Sequence, residues 1–210
     1  MVHLITQSLI SAWAYLFDCA EGQEKKAAED FERTLRREKS APTEAMQAGI
    51  DFENAVYAEA AGFSRMQTEW ESGVRKVAGI IRGAQVQLRI SRPITVDGER
   101  YIVHGILDAL RAGIIYDVKF RTKPICKGSD ESGRYDIYGK YLNSPQHPFY
   151  FYLVPEAREF QYLVSDGEDI YIEIYRPNEC RSAEDIIREF IHSITQLGYL
   201  DVYKEKWRAK

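Results

Sequence analysis

The spacing of apolar residues changes near residue 85, and this change limits the folds open to the chain. Before it, apolar side chains recur every three or four residues, as on one face of a helix. Leu9, Ile10, Ala12, Trp13, Leu16 and Phe17 carry the pattern in a first helix over 8–17, with Ser8 as its expected N-cap. A charged stretch over 23–39 reads as a solvated helix, broken by Ala41-Pro42-Thr43. Thr43 then opens a helix to about Ala61, closed by Gly62, and a third helical pattern covers 67–84. From Val86 the period is two: Val86, Leu88 and Ile90 alternate with Gln87 and Arg89. Asp97-Gly98 and Ala112-Gly113 are turn signals between apolar runs. They predict a three-stranded meander ending in Ile114–Phe120.

A Gly- and Lys-rich loop follows over 122–133, then a short helix over 135–142 stopped by Asn143-Ser144-Pro145. His147 to Leu153 reads as an aromatic helix. Phe160–Val164 and Ile170–Tyr175 form a late hairpin around Asp166-Gly167, and Ser182 caps a helix to about Leu197. Helices, then antiparallel strands, then mixed elements predict one α/β or α+β domain over 1–210.

Charge and cysteines narrow the partners. Lys and Arg number 28 and Asp and Glu 32, a net charge of -4, which excludes an overall basic coat. An anionic partner must therefore meet a local patch. No apolar run reaches the roughly 18 to 20 residues of a membrane span. Met1 to Phe17 lacks the basic start of a signal peptide. Cys19, Cys126 and Cys180 are scattered and form no CxxC pair, which points to a reducing, cytoplasmic setting.

The chemistry concentrates in Gly105-Ile106-Leu107-Asp108 and Tyr116-Asp117-Val118-Lys119. Asp117 and Lys119 stand two apart on a strand and share a face. The Ala112-Gly113 turn brings Asp108 back beside them. Carboxylates planted among Ile114, Ile115, Val118 and Phe120 are costly unless they are partnered or hold a metal. Hard oxygen ligands on a rigid strand suit Mg²⁺, which activates water and offsets charge on a phosphodiester. The spacing alone equally allows a buried Asp–Lys ion pair bracing two strands.

Asp108 with Asp117-Val118-Lys119 across a hairpin resembles the core motif of the PD-(D/E)XK nuclease superfamily, with Leu107 where proline often stands. Gly49-Ile50-Asp51-Phe52-Glu53 is similar to the helix-borne glutamate of its RecB-like and phage-exonuclease-like branch. Gln146-His147-Pro148-Phe149-Tyr150 is similar to that branch's Q-x-x-x-Y helix, and Ile5-Thr6-Gln7-Ser8 resembles the start of its N-terminal helix. The resemblance spans about Ile5 to Leu153 and implies a restriction-endonuclease-like α/β core, a central mixed β-sheet flanked by helices. It implies a Mg²⁺- or Mn²⁺-dependent DNA nuclease, an exonuclease of phage-type recombination or repair in a bacterial or phage-infected cell. By resemblance, Asp108, Asp117 and the Val118 carbonyl ligate metal, Glu53 assists and Lys119 positions the nucleophilic water. Gln146 and Tyr150 shape the site and touch DNA. A homo-oligomer or a recombination partner protein is compatible with this branch. Some of its members carry four cysteines for an iron–sulfur cluster; only Cys19 lies where one of these would, so no cluster is expected. The reading from another class is a non-catalytic nucleic-acid-binding or accessory protein that keeps the fold.

Glu59 competes with Glu53 from a different face of the same helix; Gly49, four residues before Glu53, and the resemblance favour Glu53. His147 is either a phosphate donor or a helix-start residue, and His104 reads as structural. Lys119, Arg121, Lys123 and Lys127 form an acid-free run suited to tracking a phosphate backbone. A second basic cluster, Lys204, Lys206, Arg208 and Lys210 around Trp207, reads most simply as a frayed terminus. The acidic segment from Glu156 to Asp169 is expected to lie away from DNA.

Overall fold

The structure, a computed structural model, describes residues 2–63, 69–125, 137 and 139–209. Four helices precede most of the sheet: α1 (Gln7–Asp18), α2 (Glu24–Leu35), α3 (Glu44–Ala60) and α4 (Glu71–Ile81). A short strand, β1 (His3–Thr6), comes before them. The meander follows as β2 (Gln85–Val96), β3 (Glu99–Arg111) and β4 (Ile114–Phe120). Helix α5 (Gln146–Leu153), the hairpin β5 (Glu159–Ser165) and β6 (Ile170–Tyr175), and helices α6 (Ala183–Gln196) and α7 (Leu200–Lys206) complete the order.

Local chemistry accounts for most boundaries. Thr43 caps α3 by accepting the Met46 amide at 3.2 Å, and Ser182 caps α6 by accepting Asp185 at 3.0 Å. Gly62 follows α3 with φ +77°, the left-handed conformation that suits glycine at a helix end. Thr6, not Ser8, caps α1, accepting the Leu9 amide at 3.3 Å. The cap lies earlier because β1 runs directly into the helix.

The six strands form one mixed sheet in the order β1-β3-β4-β5-β6, with β2 also on β3. The three hairpins, β2–β3, β3–β4 and β5–β6, are antiparallel. β4 and β5 are parallel, joined by the connection that carries α5. One face packs against α3 and α4 through Phe52, Val56, Val77, Tyr116, Val118 and Leu163. The other packs against α1, α5 and α6 through Leu9, Trp13, Phe149, Phe160, Tyr162 and Phe190. This is an α/β fold with a central mixed sheet flanked by helices, consistent with a restriction-endonuclease-like core. Among the described residues, no helix is long and apolar enough to cross a membrane.

Three expectations need correction. The helix expected over 135–142 includes Tyr135, Asp136 and Tyr138, which lie outside the described residues; residues 139–143 form turns. The pattern over 67–84 shortens to α4, with 64–68 also outside. The C-terminus is not frayed. Trp207 is 4% exposed, and its indole N–H donates to the Leu35 carbonyl at 2.7 Å. Leu4 N donates to Trp207 O and Ala209 N to Val2 O, so residues 207–209 close over β1. Neither β1 nor α7 carries a periodic signal, because both depend on this distant pairing.

Trp207→Ala is therefore expected to destabilise the fold by about 3–5 kcal/mol, the usual cost of emptying a buried aromatic site. Denaturant unfolding measures it, and an unchanged midpoint would mean that the terminus is free.

Candidate active site

The site begins as a gap in the β-ladder. β2 lines one edge of β3 from Glu99 to Leu110. On the other edge β1 pairs with Tyr101–His104 and β4 with Ala109–Arg111. Residues 105–108 between them have no strand on that edge among the described residues. Side chains from elsewhere fill the opening. Tyr150 of α5 donates its hydroxyl to the Ile106 carbonyl at 2.7 Å. Gly105 makes room for it: a Cβ there would lie 2.7 Å from a Tyr150 ring carbon and 2.8 Å from Leu153. Asp108 Oδ2 accepts the Val118 amide at 2.8 Å, a hydrogen bond that no strand supplies beyond the Ala109–Tyr116 pair.

Asp117 stands next to this opening and is 3% exposed. Its Oδ1 accepts the side-chain amide of Gln146, itself buried at the start of α5. Its Oδ2 lies 2.5 Å from Lys119 Nζ as an ion pair, with no aligned hydrogen-bond partner. Lys119 keeps a third of its side chain exposed. Thus the structure brings Asp108, Asp117, Lys119 and Gln146 together. Glu53 joins them from α3, which packs on β4 through Phe52 and Val56 and places the carboxylate in the field of Lys119 and Asp117.

Electrostatics make the cluster costly. Burial pushes the Asp108 carboxyl well above its ordinary range, and the charge of Asp117 pushes it further, against Lys119 and the Val118 amide. Burial raises Asp117 too, opposed by Lys119 and Gln146. Glu53 is raised by burial, with Lys119 opposing and Asp117 adding. Burial also works against the Lys119 charge, but Asp117 and Asp108 outweigh it and hold the ammonium protonated. Among these described residues, one lysine faces three carboxylates. Among the described residues, no group of three or more His, Cys, Asp or Glu is arranged as a ready metal cage. The oxygen-donor chemistry of Asp117 and its two neighbouring carboxylates nevertheless fits a hard divalent cation, which takes one or two carboxylates and keeps water in its other positions.

The remaining candidates divide. Tyr150 is buried and turned inward, so in the structure it shapes the site from within. Arg121 is half-buried and its backbone amide donates to Ser165 O. Lys123 is exposed, and Lys127 lies outside the described residues. The acidic segment is not remote from this basic run: Asp166 Oδ2 accepts the Ile125 amide at 2.6 Å. His147 is a core residue rather than a phosphate donor. It stacks on Tyr175 at 4.1 Å and pairs with the Tyr162 hydroxyl, and burial lowers its pKa to about 4. His104 hydrogen-bonds Ser91 across the β2–β3 pair. Sequence reasoning overlooked Tyr57, whose hydroxyl feels the charges of Asp108 and Glu53, and its partner Gln87. The four-residue step from Glu53 to Tyr57 was the available signal.

No family model matches the chain, and no curated protein matches it. Among solved structures it is similar to the crystal structure of SSO0001, at 14% identity and a TM-score of 0.49, over 93% of this chain and 77% of that one. LHK-Exo in complex with dAMP is similar at 14% identity and a TM-score of 0.48, over 96% and 89%. Scheffersomyces stipitis Rai1 is similar at 14% and 0.37, over 93% and 61%.

The carboxyl shifts have a testable sign. A carboxyl raised on folding binds its proton more tightly in the native state, so its ionisation costs stability as pH rises past the ordinary carboxylate range. Asp108→Asn removes that cost and keeps an acceptor for the Val118 amide. The variant is expected to melt a few degrees above the wild type at pH 7 to 8, with the difference shrinking toward pH 4. Thermal unfolding across pH measures this; a variant less stable at neutral pH contradicts it.

Proposed function

We propose that this chain is a divalent-cation-dependent deoxyribonuclease that hydrolyses phosphodiester bonds. The observation that carries the reading is the buried Asp117, ion-paired with Lys119, in a cluster where, among the described residues, three carboxylates face one lysine. A purely structural ion pair needs one carboxylate for one ammonium. Here Asp108 and Glu53 add negative charge that destabilises the apo cluster and that a bound cation relieves.

In this reading Asp108 and Asp117 hold Mg²⁺ or Mn²⁺, Glu53 assists through water, and the Val118 carbonyl is a further ligand by resemblance. The cation supplies an activated water and offsets charge on the phosphodiester. The other roles belong to the chain. Lys119, held protonated and partly exposed, faces the substrate side and stabilises charge on the attacking oxygen or the phosphate. Gln146 fixes the Asp117 carboxylate through Oδ1, while Oδ2 faces Lys119. Tyr150 anchors α5 against the β3 gap, which keeps Gln146 in place. Arg121, Lys123 and Lys127 provide the local basic run along which a DNA backbone is tracked. The subtype we favour is an exonuclease of phage-type recombination or repair, working as a homo-oligomer or with a partner protein. The resemblance of the four motifs in order supports it.

The test incubates linear and circular DNA with the protein and Mg²⁺ or Mn²⁺, beside Asp117→Asn and Lys119→Ala. The wild type is expected to degrade linear DNA and spare circles. Each variant is expected to lose about 10²-fold or more in rate. A folded wild type that leaves both substrates intact overturns the proposal in favour of a non-catalytic binding protein. Cleavage of circles rejects the exonuclease subtype, and full activity in the variants moves the site elsewhere.

A further inference from the structure

Gln87 is strained where the β-ladder does not call for it. β2 keeps one register with β3 from Gln85 to Val96, yet Gln87 has φ +53°. Among the described residues, the other non-glycine positions with positive φ, Arg37, Asp97 and Ala112, all lie in turns. A left-handed conformation is costly for glutamine, and such strain persists only where the surroundings impose it. The residue facing Gln87 is Asp108, and this is the one pair that the β2–β3 ladder skips. The sheet also changes face here. Leu107 packs into the α1, α5 and α6 core, but Ala109, two residues on, packs against α3 and α4. In a regular strand they would share a face.

The strain has a visible result. Gln87 donates its side-chain amide to the Tyr57 hydroxyl at 3.0 Å, tying the sheet edge to α3. Tyr57 lies four residues after Glu53, on the same helix face. Burial, then Asp108 and Glu53, raise its pKa and keep the phenol neutral. Gln87 occupies a lone pair of the phenol oxygen, and no described residue accepts the phenol hydrogen. An O–H donor is thereby held beside a cluster rich in acceptors.

We infer that Tyr57 contacts the substrate, donating its hydroxyl to a non-bridging phosphate oxygen of the DNA strand in the site, and that Gln87 is the residue that positions it. The inference rests on the nuclease reading. A neutral donor suits this place: it adds no negative charge beside Glu53 and Asp108, and it meets an anion with a charge-assisted hydrogen bond.

The experiment uses the full chain, a labelled linear duplex oligonucleotide and Mg²⁺ or Mn²⁺, with kcat, KM and the unfolding midpoint measured together. Tyr57→Phe removes only the hydroxyl and is expected to lose about tenfold in kcat/KM, mainly through KM, with its midpoint unchanged. Gln87→Gly accepts the left-handed backbone without strain. It is expected to unfold no earlier than the wild type and to show the same loss. The double variant is expected to lose no more than either single one. A cleaving wild type whose Tyr57→Phe and Gln87→Gly forms keep full kcat/KM overturns this inference alone. Losses that track a lowered midpoint also overturn it, by assigning the pair to structure. A wild type that fails to cleave overturns the nuclease reading, and this inference with it.

Discussion

Past the Ala109–Tyr116 pair, the hydrogen bond from the Val118 amide to the Asp108 carboxylate takes the place of a β-ladder. Much of the candidate site depends on that substitution. A backbone amide buried without an acceptor is costly, so the sheet cannot simply open at this point. By supplying the acceptor from a side chain, the chain lets β3 and β4 part while both stay buried. The parting is what places carboxylates at a sheet interior rather than at its rim.

The same opening explains why α5 is short and aromatic. Tyr150 and Gln146 stand one helical turn apart and face the gap together. One satisfies the Ile106 carbonyl that β3 leaves bare, and the other satisfies one oxygen of Asp117. His147, between them in sequence, turns toward Tyr162 and Tyr175 and locks the helix to the other half of the sheet. An eight-residue helix has little intrinsic stability. Its position comes from these contacts, so packing of the aromatic layer and geometry of the carboxylates are one problem.

Legibility of the sequence followed the range of the interactions. The hairpins at Asp97-Gly98 and Ala112-Gly113 were readable because their left-handed turns, with φ of 50° and 79° and of 50° and 78°, are written in two adjacent residues. The convergence of Asp117 with Lys119 was readable from a period of two, and Asp108 from the turn that returns its strand. Glu53 could be chosen over Glu59 only with the help of resemblance, since which helix face meets β4 is settled by distant packing. β1 and α7 were not readable at all: four residues of strand and seven of helix hold each other through Trp207 and Leu4. Gly105 could be seen but not explained, because its reason is a tyrosine 45 positions away.

Gln87 marks the limit of such reading. Nothing in a glutamine announces a left-handed backbone, and its neighbours Val86 and Leu88 alternate as in any strand. The distortion belongs to the pair it forms with Asp108. At that pair β3 must turn from one hydrophobic layer to the other, and Asp108 must reach sideways to Val118. A regular β2 would hold β3 flat and point Asp108 out of the sheet plane, away from the amide it serves. The edge strand therefore yields at the residue opposite the carboxylate, and strain at the rim of the sheet is coupled to the charge at its centre.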